Sequence, residues 1–255
     1  MSSRSSARLA GSARDAILAR VREALRRAAP APHVAANEAP PGSPAPSRRS
    51  LAVLPLEAAR PWLPDGGNTP EESLALFAAN CEKLKTSLHR VSDSAAAASL
   101  LRSIVTERKW SRVACHSSAI VGPMAGAIDC ERYCIDAPSP GHPRFDKQLL
   151  ESCDAGVTLC ESLVAQTGSI LVSSATCGGR ALSILPHVHI VLAHAGQIQP
   201  TLGDALAAAQ ARHRGRMPSM LGFITGPSRT GDIERILVLG AHGPKELIVI
   251  VRDCD

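Results

Sequence analysis

Residues 221–251 read LGFITGPSRTGDIERILVLGAHGPKELIVIV. Three apolar runs, LGFIT, RILVLG and ELIVIV, alternate with turns rich in Gly and Pro. The last run, Glu246–Val251, is apolar at every position after its first. Strands of that kind belong to sheets covered on both faces, as parallel sheets are, whereas half-exposed strands alternate. Between the first two runs stands ITGPSRTGDIE, residues 224–234. Gly226 permits a backbone that other residues avoid. Pro227 fixes φ and stops the strand. Ser228 and Thr230 are residue types that cap a helix, and Asp232 and Glu234 complement the positive end of a helix dipole. The stretch therefore predicts strand, turn, helix. It is either a loop that grips an anion at a helix start, aided by the Arg229 guanidinium, or a structural turn. The two acids oppose a bare phosphate there. The spacing is neither that of a Walker A loop nor that of a dinucleotide fingerprint.

Working outward, the same alternation covers most of the 255 residues. Thr69-Pro70-Glu71-Glu72 is a strong helix start, with Pro at the first helical position. Further helices are expected over 94–108, 145–152 and 200–212. Strands are expected at Leu88–Val91, Ser111–His116, Arg132–Asp136, Ala155–Cys160, Ser169–Ser174, Val188–His194 and Leu221–Thr225. Strands alternating with helices give an α/β fold, a three-layer arrangement with a largely parallel sheet and helices on both faces. Shorter links near the end leave room for an antiparallel part. Ligands of such sheets bind beyond the carboxyl ends of strands, which points to His116, Glu161, Ser174, His194 and Thr225-Gly226.

The first sixty residues differ. Residues 13–28 carry an amphipathic helical spacing (Ile17, Val21, Ala24, Leu25, Ala28) with Arg20, Arg22, Arg26 and Arg27 among the polar positions. Residues 29–60 form a Pro-rich linker, and the α/β domain is expected over 61–255. Residues 1–60 hold ten Arg against four acids, so the net charge of +5 lies in the arm and not in the body. With only six aromatic residues as well, the body offers neither the basic face nor the stacking platform of a nucleic-acid binder. The arm suits docking on its own domain or on a sister subunit in a homo-oligomer. The excess of Arg over Lys matches GC-rich bacterial codon use. No apolar run approaches the roughly 20 residues of a membrane span, and no secretory signal is expected. The eight Cys form no C-x-x-C pair, so neither a zinc site nor an iron–sulfur cluster is expected.

Two more constellations carry polar groups to strand ends. In CESLVAQTGSILVSSATCGGRALSILPHVHIV, residues 160–191, Glu161 follows an apolar strand and suits a nucleophile or base. Thr167, Gly168 and Ser169 form a hydroxyl-lined turn, and Arg180 closes a Gly-rich loop. In GAHGPK, residues 240–245, His242 and Lys245 are candidate ligands of a polar substrate. His187 and His189 stand two apart, a spacing that can bind metal on a strand, but no third ligand is evident. With Thr225, Gly226, Ser228, Arg229 and Thr230 these residues make up one candidate anion pocket.

Taken together, TGSILVSS (167–174), GRALSILPHVHIVLA (179–193), PTLGDAL (200–206) and FITGPSRTGDIERILVLGAHGPKELIVIV (223–251) closely resemble the lactate utilization protein C family, whose shared unit is the LUD domain. The resemblance is dense over about residues 155–252 and looser over 70–150. It implies a fold like that of the sugar-phosphate isomerase and CoA-transferase superfamily. It also implies a cytoplasmic, non-cluster subunit of a system oxidising L-lactate to pyruvate, with iron–sulfur clusters in partner subunits, no cofactor in this chain, and a small carboxylate or phosphate as ligand. Two alternatives stand beside it: an enzyme acting on an acyl-CoA or sugar phosphate with Glu161 as nucleophile, and a structural or regulatory binder. Gly231 replaces the family's usual Ala, and Gln166 stands where many members have an acid and others Arg. An amide at that position cannot act as a base.

Overall fold

The structure, a computed structural model, describes residues 63–136, 145–214, 216–231, 237–239 and 243–254, together with Asp15, residues 18–20 and Glu23. Asp15, Leu18, Ala19, Arg20 and Glu23 are helical and exposed, within the stretch whose spacing predicts a helix. The rest of that stretch, the Pro-rich segment and His242 lie outside the described residues. Residues 62–255 form one compact unit.

In that unit α1 spans Pro70–Leu84, α2 Ser94–Glu107, α3 Val121–Gly126, α4 Lys147–Glu151 and α5 Leu202–His213. The strands are β1 Ser87–Val91, β2 Arg112–Cys115, β3 Glu131–Cys134, β4 Ala155–Leu159, β5 Ser162–Val164, β6 Ser169–Ser173, β7 Val188–His194, β8 Ile198–Gln199, β9 Leu221–Ile224, β10 Arg229–Gly231, β11 Leu237–Leu239 and β12 Glu246–Arg252. The helix starts follow their caps. Thr69 Oγ1 accepts from the Glu72 N–H at 3.2 Å, with Pro70 at the first helical position. Asp93 and Asp146 accept from the N–H groups of Ala96 and Leu149. Lys85 ends α1 in the left-handed region, φ 63°. The short α3, VGPMAG, is not anticipated from its composition. Its Pro123 sits in the first turn, where the missing N–H has no helical partner to lose.

Six strands form a wholly parallel sheet in the order β1-β12-β7-β4-β2-β3. The α/β architecture read from the apolar runs is thus present, with β12 and β7 inside the sheet. Along β12, Ile248 and Ile250 pack with Leu101 and Ile104 of α2 and with Val121 and Met124 of α3. Leu247, Val249 and Val251 face the other way, toward Phe77 and Cys81 of α1. All five are at most 2% exposed. Burying each such side chain stabilises the fold by about 1.5–3 kcal/mol before the cost of ordering the chain.

The second face carries α1, as helices on both faces require, and in addition a second sheet. The strands β6 and β9 do not join the parallel sheet. They form a separate four-stranded sheet, β8-β5-β6-β9, in which β5, β6 and β9 run antiparallel. Its Leu163, Ile170 and Val172 pack with α1 against the main sheet. Its Val164 and Leu171 pack with Ala205 and Ala209 of α5. The order of layers is therefore α2 and α3, main sheet, small sheet with α1, then α5. Antiparallel pairing occurs in this added layer and in a separate β10–β11 pair, and Ser174 and Thr225-Gly226 end strands of the small sheet, whereas His116 and His194 remain at carboxyl ends of the main one.

A further correction concerns ITGPSRTGDIE. No helix starts at Ser228. Residues Arg229–Gly231 form β10 and pair antiparallel with Leu237–Leu239 of β11. The alternative of an anion held at a helix start therefore has no helix at residues 228–231. Asp232 and Glu234 lie outside the described residues.

Candidate functional site

The close approach of two backbones sets up the site. Gly156 in β4 lets the 3-10 turn Ala181–Ser183 press onto the strand; a Cβ there would stand 2.4 Å from the Leu182 carbonyl oxygen. The Ser183 hydroxyl donates to the Arg180 carbonyl at 3.1 Å and fixes the turn. Arg180 is thereby held at the mouth of a cavity of about 310 Å³. Among the described residues its exposed guanidinium has no hydrogen-bond or ion-pair partner.

The remaining walls come from β6, β9 and two turns. Val172, Ile184, Met220, Leu221, Phe223 and Ile224 supply the apolar lining. Gly226, Ser228, Gly243 and Pro244 supply the last wall. Gly226 has φ 79°, and a Cβ on it would lie 3.2 Å from Leu84 Cβ, so the turn packs directly on the end of α1. The Ser228 N–H donates to the Pro244 carbonyl at 2.9 Å. That bond joins the GPS turn to the HGP turn, two stretches singled out separately in the sequence.

Of the candidate ligand residues, Arg180, Gly226 and Ser228 meet at this cavity. Thr167, Gly168, Ser169, Thr225, Arg229 and Lys245 are not among its described lining residues. Arg229 Nη2 donates to the Leu84 carbonyl at 2.6 Å, placing a cation on the negative end of α1. Thr167 Oγ1 donates to Ser169 Oγ at 2.7 Å, and Ser169 Oγ lies 2.7 Å from Thr225 Oγ1. This hydroxyl chain ties the turn before β6 to the end of β9. Gly168 packs beside Asn80 and Leu84 of α1. Gln166 is buried and donates to the Pro64 carbonyl at 2.8 Å, a structural use of the amide. Thr230 lies in β10 opposite Val238. Lys245 is exposed, and its N–H donates to the His187 carbonyl.

Glu161 lies in a different setting. It is 0% exposed. Ser173 Oγ donates to its Oε1 at 2.6 Å, and His213 Nε2 lies 2.9 Å from the same oxygen. Arg212 Nη1 donates to Oε2, and also to the Glu161 carbonyl at 2.9 Å. Burial alone would push the carboxyl up; the bonds from Ser173, His213 and Arg212 outweigh it and hold the group below the ordinary carboxylate range. The carboxylate thus stays ionised inside the protein, with its oxygens engaged by three side chains. For either oxygen to reach a substrate, Arg212 or His213 must first move away.

Sequence reasoning missed Arg212, His213 and Ser173. The first two are 51 and 52 residues from Glu161, at the end of an amphipathic helix. The available signal was weak: basic residues in the last turn of α5, which read as ordinary dipole partners. His189 is a core residue, 2.8 Å from Thr158 Oγ1, with burial pushing its pKa down to about 3. His187 is exposed and precedes the strand, so the two do not converge. Burial pushes the thiols of Cys81, Cys115 and Cys153 up to about 12, which disfavours their thiolates. Among the described residues no three His, Cys, Asp or Glu are grouped to hold a metal ion, and no helix is long and apolar enough to cross a membrane.

Residues 74–251, from within α1 to within β12, match the LUD domain. The chain belongs to the LUD domain family. The matched segment contains Glu161 and every described residue lining the cavity. Similar proteins include Lactate utilization protein C of Shouchella clausii, 35% identical over 104 residues, which is 40% of this chain and 45% of that one. Lactate utilization protein C of Deinococcus radiodurans is 37% identical over 117 residues, 46% of this chain and 52% of that one. The chain thus spans about half the length of these curated relatives. The crystal structure of a DUF162 family protein from Deinococcus radiodurans superposes with a TM-score of 0.53 at 27% identity, covering 72% of this chain and 99% of that one.

Proposed function

We propose that this LUD domain protein acts in lactate utilization, as a cytoplasmic, non-cluster subunit of an iron–sulfur system that oxidises L-lactate to pyruvate. It binds an anionic ligand, or an anionic group of a partner, at Arg180 and Ser228. The observation that carries this reading is that the family match encloses a cavity lined by Arg180, a cation with no partner among the described residues. The names of the relatives supply the process. The clusters of this reading belong to partner subunits.

Deleting the gene in its host is expected to abolish growth on L-lactate as sole carbon source, with growth on pyruvate retained. Affinity capture of the full chain from lactate-grown cells is expected to recover iron–sulfur proteins with lactate-oxidising activity. Undiminished growth of the deletion strain on L-lactate would contradict the reading.

A further inference from the structure

The cavity is poorly matched to lactate or pyruvate themselves. Among the described residues seven apolar side chains line it, Pro244 included, against three polar ones: Arg180, Ser183 and Ser228. The Ser183 hydroxyl already donates to the Arg180 carbonyl. Among the described residues, the side-chain groups left for a ligand are one guanidinium and one hydroxyl. Two of the apolar side chains, Ile184 and Phe223, are 39% and 37% exposed, so apolar surface at the cavity stands in water. A three-carbon hydroxy acid carries a single methyl group and would leave most of this wall in water. A phosphate dianion would bring more charge than one Arg can balance.

We propose that the pocket binds an amphipathic monocarboxylate, with its carboxylate on Arg180 and an apolar body of roughly six to ten carbons along β9, a size in keeping with a cavity at the small end of ligand pockets. The inference rests on the reading of this cavity as the ligand site, and it names the chemistry of what enters. Arg180 offers a planar fork that matches a carboxylate. Ile184, Phe223 and Met220 supply the surface that an alkyl or aryl body would cover. The Ser228 hydroxyl, on the turn stapled to Pro244, is the second polar group.

The test is calorimetric titration of the full chain with acetate, butanoate, hexanoate, octanoate, octanamide, L-lactate and pyruvate. Affinity is expected to rise about fourfold per methylene along the carboxylates, the increment for burying one CH₂. Octanamide is expected to bind at least tenfold more weakly than octanoate. The Arg180→Gln variant should abolish that preference, and Phe223→Ser should flatten the chain-length dependence. Both residues are exposed, so both variants should fold, as circular dichroism would check. Binding of lactate or pyruvate at least as tight as that of octanoate would overturn the inference and leave the lactate reading standing. Octanoate binding that survives both substitutions would be surface adsorption and would also overturn it. If octanoate binds through Arg180 while the deletion strain grows normally on L-lactate, the lactate reading fails and the pocket assignment holds.

Discussion

Glu161 and Arg180 flank the β5–β6 hairpin in sequence, and the structure treats them in opposite ways. Glu161 is buried and closed, its oxygens held by Ser173, His213 and Arg212. Arg180 is exposed and open, at a cavity mouth with no partner among the described residues. A charge taken out of water must be paired, because the alternative is a large desolvation cost. A charge left at a cavity mouth carries no such demand and remains available to a ligand. The same contrast separates Arg212 from Arg180. Both are exposed arginines; one completes an internal network and the other ends at a pocket.

The largest effect that would break this comparison is acid. His189 is neutral when folded, its pKa pushed down to about 3 from an ordinary 6.5. Its contribution to stability is complete above the ordinary value and is lost as pH falls from there toward 3. The Glu161 carboxyl is held below its ordinary 4.5. Its contribution is complete above that value and is lost as pH falls through the lower folded one. Both losses run in the same direction. Urea unfolding between pH 7 and pH 4 should show stability falling by about 3 kcal/mol, most of it from His189. A flat profile would show that the closed groups are not tuned as described.

Next in size is Arg212→Met. It leaves the buried Glu161 carboxylate with Ser173 and His213 alone. Removing one partner of a fully buried pair costs about 3–5 kcal/mol. The Arg212 side chain is 45% exposed, so the expected loss is reduced to about 2 kcal/mol for solvent screening. A change below about 0.5 kcal/mol, the range of an ordinary surface substitution, would mean that Arg212 decorates the cluster and does not complete it.

How much of this was legible in the sequence follows from what each part depends on. The strands of the main sheet were legible because ELIVIV and VHIVLAH are buried on both faces and carry no alternation. The α1 start was legible because Thr69, Pro70 and Glu72 are local signals. The separate small sheet was not: SILVS is as apolar as a central strand, since the main sheet covers one of its faces and α5 the other. The Glu161 network was half legible, because the acid stood out at a strand end while its partners lay on a distant helix. GPSRTGD resembled a helix start because Ser, Thr and Asp cap helices and also make turns. Its hairpin depends on pairing with Leu237–Leu239. Arg180, singled out from the sequence, lines the cavity; the apolar wall of β9 was not foreseen.

A smaller effect should come from Arg229→Ala. Its guanidinium caps the Leu84 carbonyl at the end of α1. Loss of one exposed, charge-assisted bond to a helix end is expected to cost about 1 kcal/mol by thermal or chemical denaturation. The cavity should still bind its ligand, which separates Arg229 from Arg180. Loss of binding in folded Arg229→Ala would place Arg229 in the pocket after all. Smallest of all is the stability change of Arg180→Gln, expected within about 0.5 kcal/mol of wild type, because nothing among the described residues depends on that guanidinium.

The most direct measurement replaces the chromosomal gene with Arg180→Gln and follows growth on L-lactate, with the abundance of the protein measured alongside. Wild-type abundance is expected, with growth reduced toward that of the deletion strain. Wild-type growth at wild-type abundance would contradict the claim that the open charge at the cavity mouth serves the function.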